Sequence, residues 1–118
     1  MIERINVEKR YSDVAIFNGV AWLAGQVPRP DAGDDIRSQM RDVLAQIDAL
    51  LATVGSDKSR ILSTQIFLAD LADKPGMDEV WDAWVVDGHA PPRATVEARL
   101  ARPFYKVEVV MTAALKQA

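Results

Sequence analysis

The last apolar stretch of this 118-residue chain constrains its fold more than any other segment. Residues 107–115, VEVVMTAAL, are apolar at both odd and even positions, which is typical of a β-strand buried on both faces. A single layer of helices covers only one face of the sheet that contains such a strand. The other face then finds cover most simply in a symmetric oligomer. The alternative is that small residues such as Ala113 and Ala114 face water.

The remaining segments alternate between the periodicities of strands and helices. Asn18-Gly19 between two β-rich runs predicts a type I′ hairpin, because both turn residues must adopt positive φ. An apolar stripe with steps of four and three residues predicts an amphipathic helix that ends before Gly55. We predict strands over residues 1–7, 13–17, 20–24, 60–69, 93–100 and 106–114, and helices over residues 34–54 and 75–86.

This order of elements predicts one α+β domain spanning residues 1–118, with two helices on one face of a mixed sheet. The net charge of −3 and the absence of a Lys/Arg cluster argue against a nucleic-acid partner. With no cysteine and one histidine, we expect no metal site. No apolar run is long enough to span a membrane, and the charged N-terminal stretch lacks the apolar core of a signal peptide. We therefore expect a cytoplasmic protein.

Two charged residues near the C-terminal end are candidates for a site. Arg93 follows two prolines, which fix φ and present it from a rigid turn at the mouth of a strand. Glu108 interrupts the apolar last strand, where an unpaired carboxylate is costly. We hypothesise that both face one small cleft, where the guanidinium grips a planar carboxylate at two points. The alternatives are an exposed strand-end arginine and a glutamate paired structurally to Lys106 or to an arginine.

An ordered set of motifs now points to a family. The stretches AGQVP, IFLAD, MDEVWDAW, PPRATVEARL and KVEV follow one another along nearly the whole chain. The sequence resembles the RidA/YjgF family of reactive-intermediate deaminases, also labelled endoribonuclease L-PSP. It is most similar to the YoaB-like subgroup in stretches such as LAQIDALL, WDAWVV and GHAP. The resemblance implies a chorismate-mutase-like fold and a homotrimer with a barrel-like core and clefts between subunits.

The resemblance also implies a function. Arg93 would bind the carboxylate of a small 2-imino or enamine acid, and Glu108 would orient or activate water for hydrolysis to a 2-keto acid and ammonia, without a cofactor. Gly25 would let a backbone N–H approach the substrate, although a strand-end glycine required by chain geometry is the alternative. Tyr11 would hydrogen-bond substrate or water, or is simply a half-buried loop tyrosine. Thr95 stands where classical members often have cysteine and would line the cleft.

Two departures from the classical pattern put the classical substrate, 2-iminobutanoate, in doubt. Ala24 replaces a frequent serine, and Asp78 replaces a frequent asparagine. If both line the cleft, the lost hydroxyl and the added negative charge weaken binding of an anionic substrate. A non-catalytic protein that binds a small keto acid is therefore an alternative function. Ribonuclease activity, suggested by the older label, is a further alternative against which the acidic composition argues.

Overall fold

A computed structural model of the chain describes residues 1–116, and the predicted domain extends two residues further, outside the described part. The elements run in the order β1, β2, β3, α1, β4, α2, β5, β6. The strands are β1 (Glu3–Val7), β2 (Ser12–Phe17), β3 (Val20–Leu23), β4 (Ile61–Leu68), β5 (Arg93–Glu97) and β6 (Val107–Ala114). The helices are α1 (Ile36–Thr53) and α2 (Lys74–Trp84).

The six strands form one mixed sheet in the order β1-β2-β3-β6-β4-β5. Only β4 and β5 pair in parallel, and α2 connects them. The other neighbours are antiparallel. Both helices pack on one face of the sheet and bury its apolar side chains, so that the predicted α+β class is confirmed.

The predicted hairpin joins β2 to β3. Asn18 and Gly19 have φ values of +51° and +76°, as a type I′ turn requires. The turn sets the register, with Phe17 opposite Val20 and Val14 opposite Leu23. Val14 is fully buried, so the turn directs the apolar side of the hairpin towards the helices.

Helix α1 supplies much of the core. Its N-cap Asp35 accepts a hydrogen bond from the Ser38 amide at 3.0 Å, and this interaction holds the pKa of the Asp35 carboxyl below its ordinary value. Gly55 follows the helix with φ of +75°, the left-handed position predicted from the sequence. The buried stripe of the helix consists of Ile36, Gln39, Met40, Val43, Leu44, Ile47 and Leu51.

Helix α2 and strand β5 are shorter than predicted. The helix ends at Trp84 because Val85 is extended, with ψ of 149°. Strand β5 ends at Glu97 rather than at residue 100, and its partner β4 likewise ends at Leu68. Short 3₁₀ turns precede β4 (Lys58–Arg60) and α2 (Leu71–Asp73), and neither was predicted.

The sheet face away from the helices is open. Strand β6 alternates strictly: Val107, Val109, Met111 and Ala113 are at most 1% exposed, whereas the residues between them are half-buried. Strand neighbours on this open face include Trp22, opposite Thr112, and Val96, opposite Phe67. Trp22 and Val96 are 47% and 39% exposed. The two-sided apolar pattern of β6 thus corresponds to one buried face and one uncovered, partly apolar face.

Candidate active site

Glu108 lies on the open face, beside the end of β3. Its register partner on β4 is Phe67, and the residues on either side of it point into the core. None of the hydrogen bonds and ion pairs among residues 1–116 involves its carboxylate. The described structure therefore does not pair Glu108 with Lys106 or an arginine, the structural alternative considered from the sequence.

Gly25 makes room for this carboxylate. The segment after β3 pairs with β6 through Gln26 and Val109, which exchange backbone hydrogen bonds of 2.9 and 3.0 Å. This pairing brings Gly25 against Glu108 so closely that a Cβ at position 25 would overlap the Oε2 atom of Glu108. The glycine is required by a close approach, because its backbone has no positive φ.

Tyr11 lies near the same end of the sheet. It is 59% exposed and lines a cavity of about 710 Å³ together with Ala24 and Gly25. Tyr105 and the α1 residue Leu50 also line this cavity. We call Glu108, Gly25 and Tyr11 the glutamate group.

Arg93 lies on the other side of the molecule's sheet, beneath α2. Its NH1 atom is 2.8 Å from Oδ1 of Asp78, and its guanidinium carbon lies 5.3 Å from the centre of the Trp81 ring. NH1 also contacts the Met77 sulfur at 3.9 Å. The Arg93 side chain is only 22% exposed, so it is not the free strand-end arginine of the alternative interpretation.

Asp78 connects Arg93 to a second cation. Its Oδ2 atom accepts a hydrogen bond of 2.6 Å from Lys74, one turn earlier on α2. Burial pushes the pKa of Asp78 upward, but the hydrogen bond from Lys74 and the charge of Arg93 outweigh it and hold this pKa below 3.8. Asp78 is therefore ionised at neutral pH between two cations.

Two threonines lie beside Arg93 on the strands. Thr64 is the register partner of Arg93, and Thr95 is two residues further along β5 on the same face. The Oγ1 atoms of both are buried and have no hydrogen-bond partner among residues 1–116. We call this set the arginine group: Arg93, Asp78, Lys74, Thr64 and Thr95.

The two groups lie on opposite faces of one sheet. Arg93 pairs with Thr64, which pairs with the core residue Met111 on the helix-covered face. Glu108 is three residues from Met111 on the same strand and hence projects from the other face. A single chain therefore does not bring the predicted carboxylate-binding arginine and the predicted water-activating glutamate into one cleft.

Gln39 has a structural role that was not predicted from the sequence. This residue is fully buried in the apolar stripe of α1 and donates to the carbonyls of Gly33 and Phe104, at 3.1 and 2.9 Å. Its side-chain oxygen accepts from the Lys106 amide at 2.8 Å. Gln39 thus fixes the start of β6, two residues before Glu108. The available signal was a lone amide between Ile36 and Met40 in an otherwise apolar stripe.

Residues 1–116 contain no group of three or more His, Asp or Glu side chains arranged to hold a metal ion. Neither described helix has the length and apolar character needed to cross a membrane.

Comparison with known proteins agrees with this architecture. The model of the endoribonuclease L-PSP family matches residues 1–115. The chain belongs to the RidA/YjgF family. A RutC family protein from Haemophilus ducreyi is 52% identical over 115 residues, which cover 98% of this chain and 97% of the relative. YoaB from Escherichia coli is 50% identical over 114 residues, covering 97% and 98%. The crystal structure of a YjgF family member from Neisseria meningitidis superposes with a TM-score of 0.96 at 46% identity, covering 100% of this chain and 98% of that one.

Of the two departures from the classical RidA/YjgF pattern, Ala24 lies beside the glutamate group and Asp78 belongs to the arginine group. Ala24 lines the cavity beside Gly25, where a serine hydroxyl would add a polar atom to the wall. Asp78 contacts Arg93 directly. In this RidA/YjgF member, the added negative charge of Asp78 is therefore in direct contact with the arginine.

Proposed function

We propose that the protein hydrolyses small 2-imino or enamine acids to 2-keto acids and ammonia, without a cofactor, at sites between the subunits of a cytoplasmic homotrimer. The observation that carries this proposal is the placement of Arg93 and Glu108 on opposite faces of one sheet. In a cyclic assembly, the arginine group of one copy meets the glutamate group of the next.

The open face supplies a reason to assemble. It presents partly exposed apolar side chains, including Trp22 and Val96, on a sheet that the chain's own helices cover on one side only. An apolar sheet face of this kind is a favourable surface for association. In the proposed trimer these faces pack around a barrel-like core, and the clefts form where neighbouring sheets meet.

The chemistry needs binding and proton transfer rather than a strong electrophile. Arg93 of one copy and the Gly25 amide of the neighbouring copy hold the substrate carboxylate, which places the adjacent C=N carbon beside Glu108 of that neighbouring copy. Glu108 accepts a proton as water adds to that carbon, and Tyr11 helps to orient the water. The carbinolamine nitrogen then takes up the proton held by Glu108, and loss of ammonia together with the hydroxyl proton leaves the 2-keto acid. Proximity supplies most of the acceleration, because such imines also hydrolyse in water.

An imine-trapping assay tests the activity. An amino-acid oxidase generates 2-iminobutanoate and bulkier imino acids in situ, and semicarbazide traps the imine that remains. We expect the wild-type protein to suppress the trapped adduct and Arg93→Ala and Glu108→Gln to leave it at the level without protein. If the wild-type protein leaves adduct formation unchanged with every imine, the hydrolase proposal is wrong.

Mixed assemblies test the location of the site. Each inactive variant lacks one half of every cleft, so a trimer that contains both variants regains an intact cleft wherever the intact arginine and glutamate meet. Unfolding and refolding an equal mixture of Arg93→Ala and Glu108→Gln should restore about a quarter of wild-type activity by random assembly. Refolding each variant alone should restore none. A mixture that stays inactive while forming trimers would contradict a site shared between copies.

A second function, binding of a small keto acid without catalysis, is favoured by one observation. Asp78 already occupies the NH1 side of Arg93, which reduces the arginine's free capacity for a substrate carboxylate. Calorimetric titration with 2-oxobutanoate distinguishes the two functions when compared with the imine assay. Saturable binding in a protein that hydrolyses no imine would favour this second function.

A further inference from the structure

Three buried oxygen atoms of the arginine group lack a well-aligned hydrogen bond among residues 1–116. They are Oγ1 of Thr64, Oγ1 of Thr95 and Oδ1 of Asp78, each with almost no solvent exposure. Asp78 Oδ1 is in ion-pair contact with Arg93, yet it receives no well-aligned hydrogen bond. Thr64 is 5% exposed as a whole residue, so water in bulk solvent does not satisfy its hydroxyl.

Leaving these buried oxygen atoms without hydrogen-bond partners is energetically unfavourable. A buried polar atom without a partner loses the hydrogen bonding that it has in water. The two threonine hydroxyls can donate or accept a hydrogen bond, whereas the Asp78 oxygen can only accept one, so Asp78 determines which group complements the cluster. The complementary ligand group is therefore a donor, preferably one with positive charge, placed within reach of the Arg93 guanidinium.

We propose that the Arg93–Asp78 ion pair opens to admit a ligand in which one carbon atom carries both a carboxylate group and an N–H donor. The ligand carboxylate takes the place of Asp78 on Arg93, and the ligand nitrogen takes the place of Arg93 on Asp78, with Thr64 and Thr95 as additional partners. This inference rests on the proposed function, because it names the form of the substrate that the arginine group selects.

Charge balance explains the selection. A 2-imino or enamine acid brings N–H donors next to its carboxylate, so that both members of the opened pair regain a partner. A 2-keto acid brings the carboxylate but only an acceptor oxygen beside it. It therefore satisfies Arg93 and leaves the partly buried Asp78 with Lys74 alone, which is unfavourable. The arginine group thus favours the nitrogen-bearing substrate over the keto-acid product.

Two stable probes with the same carbon skeleton test this selection. 2-Aminobutanoate carries an ammonium group beside its carboxylate, whereas 2-oxobutanoate carries a carbonyl. In calorimetric titrations of the full-length protein, we expect 2-aminobutanoate to bind about tenfold more tightly. In Asp78→Asn, we expect 2-aminobutanoate to weaken and 2-oxobutanoate to strengthen, each by roughly tenfold, because Arg93 is released from its internal anion.

Asp82→Asn is the matched control, since Asp82 is an exposed aspartate one turn further along α2 and its substitution changes the net charge equally. We expect it to leave both affinities unchanged. Thr64→Val provides a second variant that keeps Asp78. Because the Thr64 hydroxyl has no partner in the described structure, its loss should not lower the melting temperature. It should weaken 2-aminobutanoate more than 2-oxobutanoate.

The outcomes separate this inference from the proposed function. If Asp78→Asn does not fold, the Thr64→Val comparison decides. An unchanged preference in the folded variants, or a wild-type protein that binds neither probe, overturns the ion-pair exchange even if imines are hydrolysed. A wild-type preference for 2-aminobutanoate that Asp78→Asn reverses supports the exchange even if no imine is hydrolysed, in which case only the proposed activity fails.

Discussion

Arg93 contacts Asp78, Met77 and Trp81 of helix α2, whereas Glu108 accepts no hydrogen bond from residues 1–116. The arginine group is held in place by its own chain, through an ion-pair network and a packed aromatic ring. In the glutamate group, Gly25 has no side chain, and this leaves space for the Glu108 carboxylate. The first group is prearranged and internally neutralised, and the second is left open.

This difference shows that the two groups depend on different interaction partners. A guanidinium beside a half-buried aspartate needs no second protein chain to be stable, but it must release that aspartate to bind an anion. A half-buried carboxylate without a hydrogen-bond partner is available to interact with water, a substrate or a neighbouring subunit. Substitutions in the two groups should therefore affect activity and stability in different proportions.

Glu108→Gln should produce the largest effect on activity. Removal of a general base typically lowers the rate by about 100- to 10,000-fold, and we expect the rate of imine hydrolysis to fall within that range. The melting temperature should stay within about 2 °C of wild type, because the carboxylate makes no hydrogen bond within the described chain. A fall in activity below tenfold in the trapping assay would show that Glu108 does not transfer the proton.

Local structure could be predicted from the sequence better than the arrangement of the candidate site residues. The alternation of β6, the Asn18-Gly19 turn and the stripe of α1 are local patterns, and local patterns determine strands, turns and helices. The face on which Arg93 lies depends on which residue of β4 it pairs with. That register is a long-range property, and it is the pairing of Arg93 with Thr64 that places Arg93 and Glu108 on opposite faces.

Gln39→Leu should produce the largest loss of stability. The substitution leaves the Gly33 and Phe104 carbonyls and the Lys106 amide without their buried partner. We expect the free energy of unfolding to fall by about 3 kcal/mol or more in urea denaturation, because each of the three unsatisfied groups costs about 1–3 kcal/mol. Gln39→Glu is the informative comparison, because it keeps the acceptor but loses both donors and introduces a buried charge. It should be at least as destabilising at pH 7, and a tolerated Gln39→Glu would contradict the donor role.

Gly25→Ala should have an intermediate effect that separates activity from stability. The added methyl group collides with the Glu108 carboxylate, which is the mobile end of a flexible side chain and can turn aside. We expect about a tenfold or greater loss of imine hydrolysis from the displaced carboxylate. The unfolding free energy should change by less than about 1 kcal/mol, because the backbone at position 25 is compatible with alanine. A large loss of stability with full specific activity would mean that Gly25 serves only the chain geometry.

No local pattern in the sequence identifies the residues that interact with Arg93. Asp78 and Lys74 are one helical turn apart, which predicts an ion pair with each other. The approach of Asp78 to Arg93 depends on how α2 packs across β5, and tertiary packing of this kind has no local signature. Asp78 was therefore predicted as a charge near the substrate, and the structure places it on the arginine itself.

The smallest effect concerns the acid dependence of stability. Because the pKa of Asp78 is lower in the folded protein than its ordinary value of 3.8, its ionised form stabilises the fold above about pH 4. This contribution is lost as the pH falls below 3.8 through the folded-state pKa. The Asp78→Asn variant should lose less stability than wild type between pH 5 and pH 3, by about 0.5 kcal/mol or less, since a partly exposed pair is screened by water. Differential scanning calorimetry across this range measures the difference.

The variant should keep a residual acid dependence, because the pKa values of Asp35 and Asp57 are also lowered by hydrogen bonds from Ser38 and Ser59. Identical pH profiles for the two proteins would show that the Arg93–Asp78 pair contributes nothing to the fold, and would leave ligand selection as its only role.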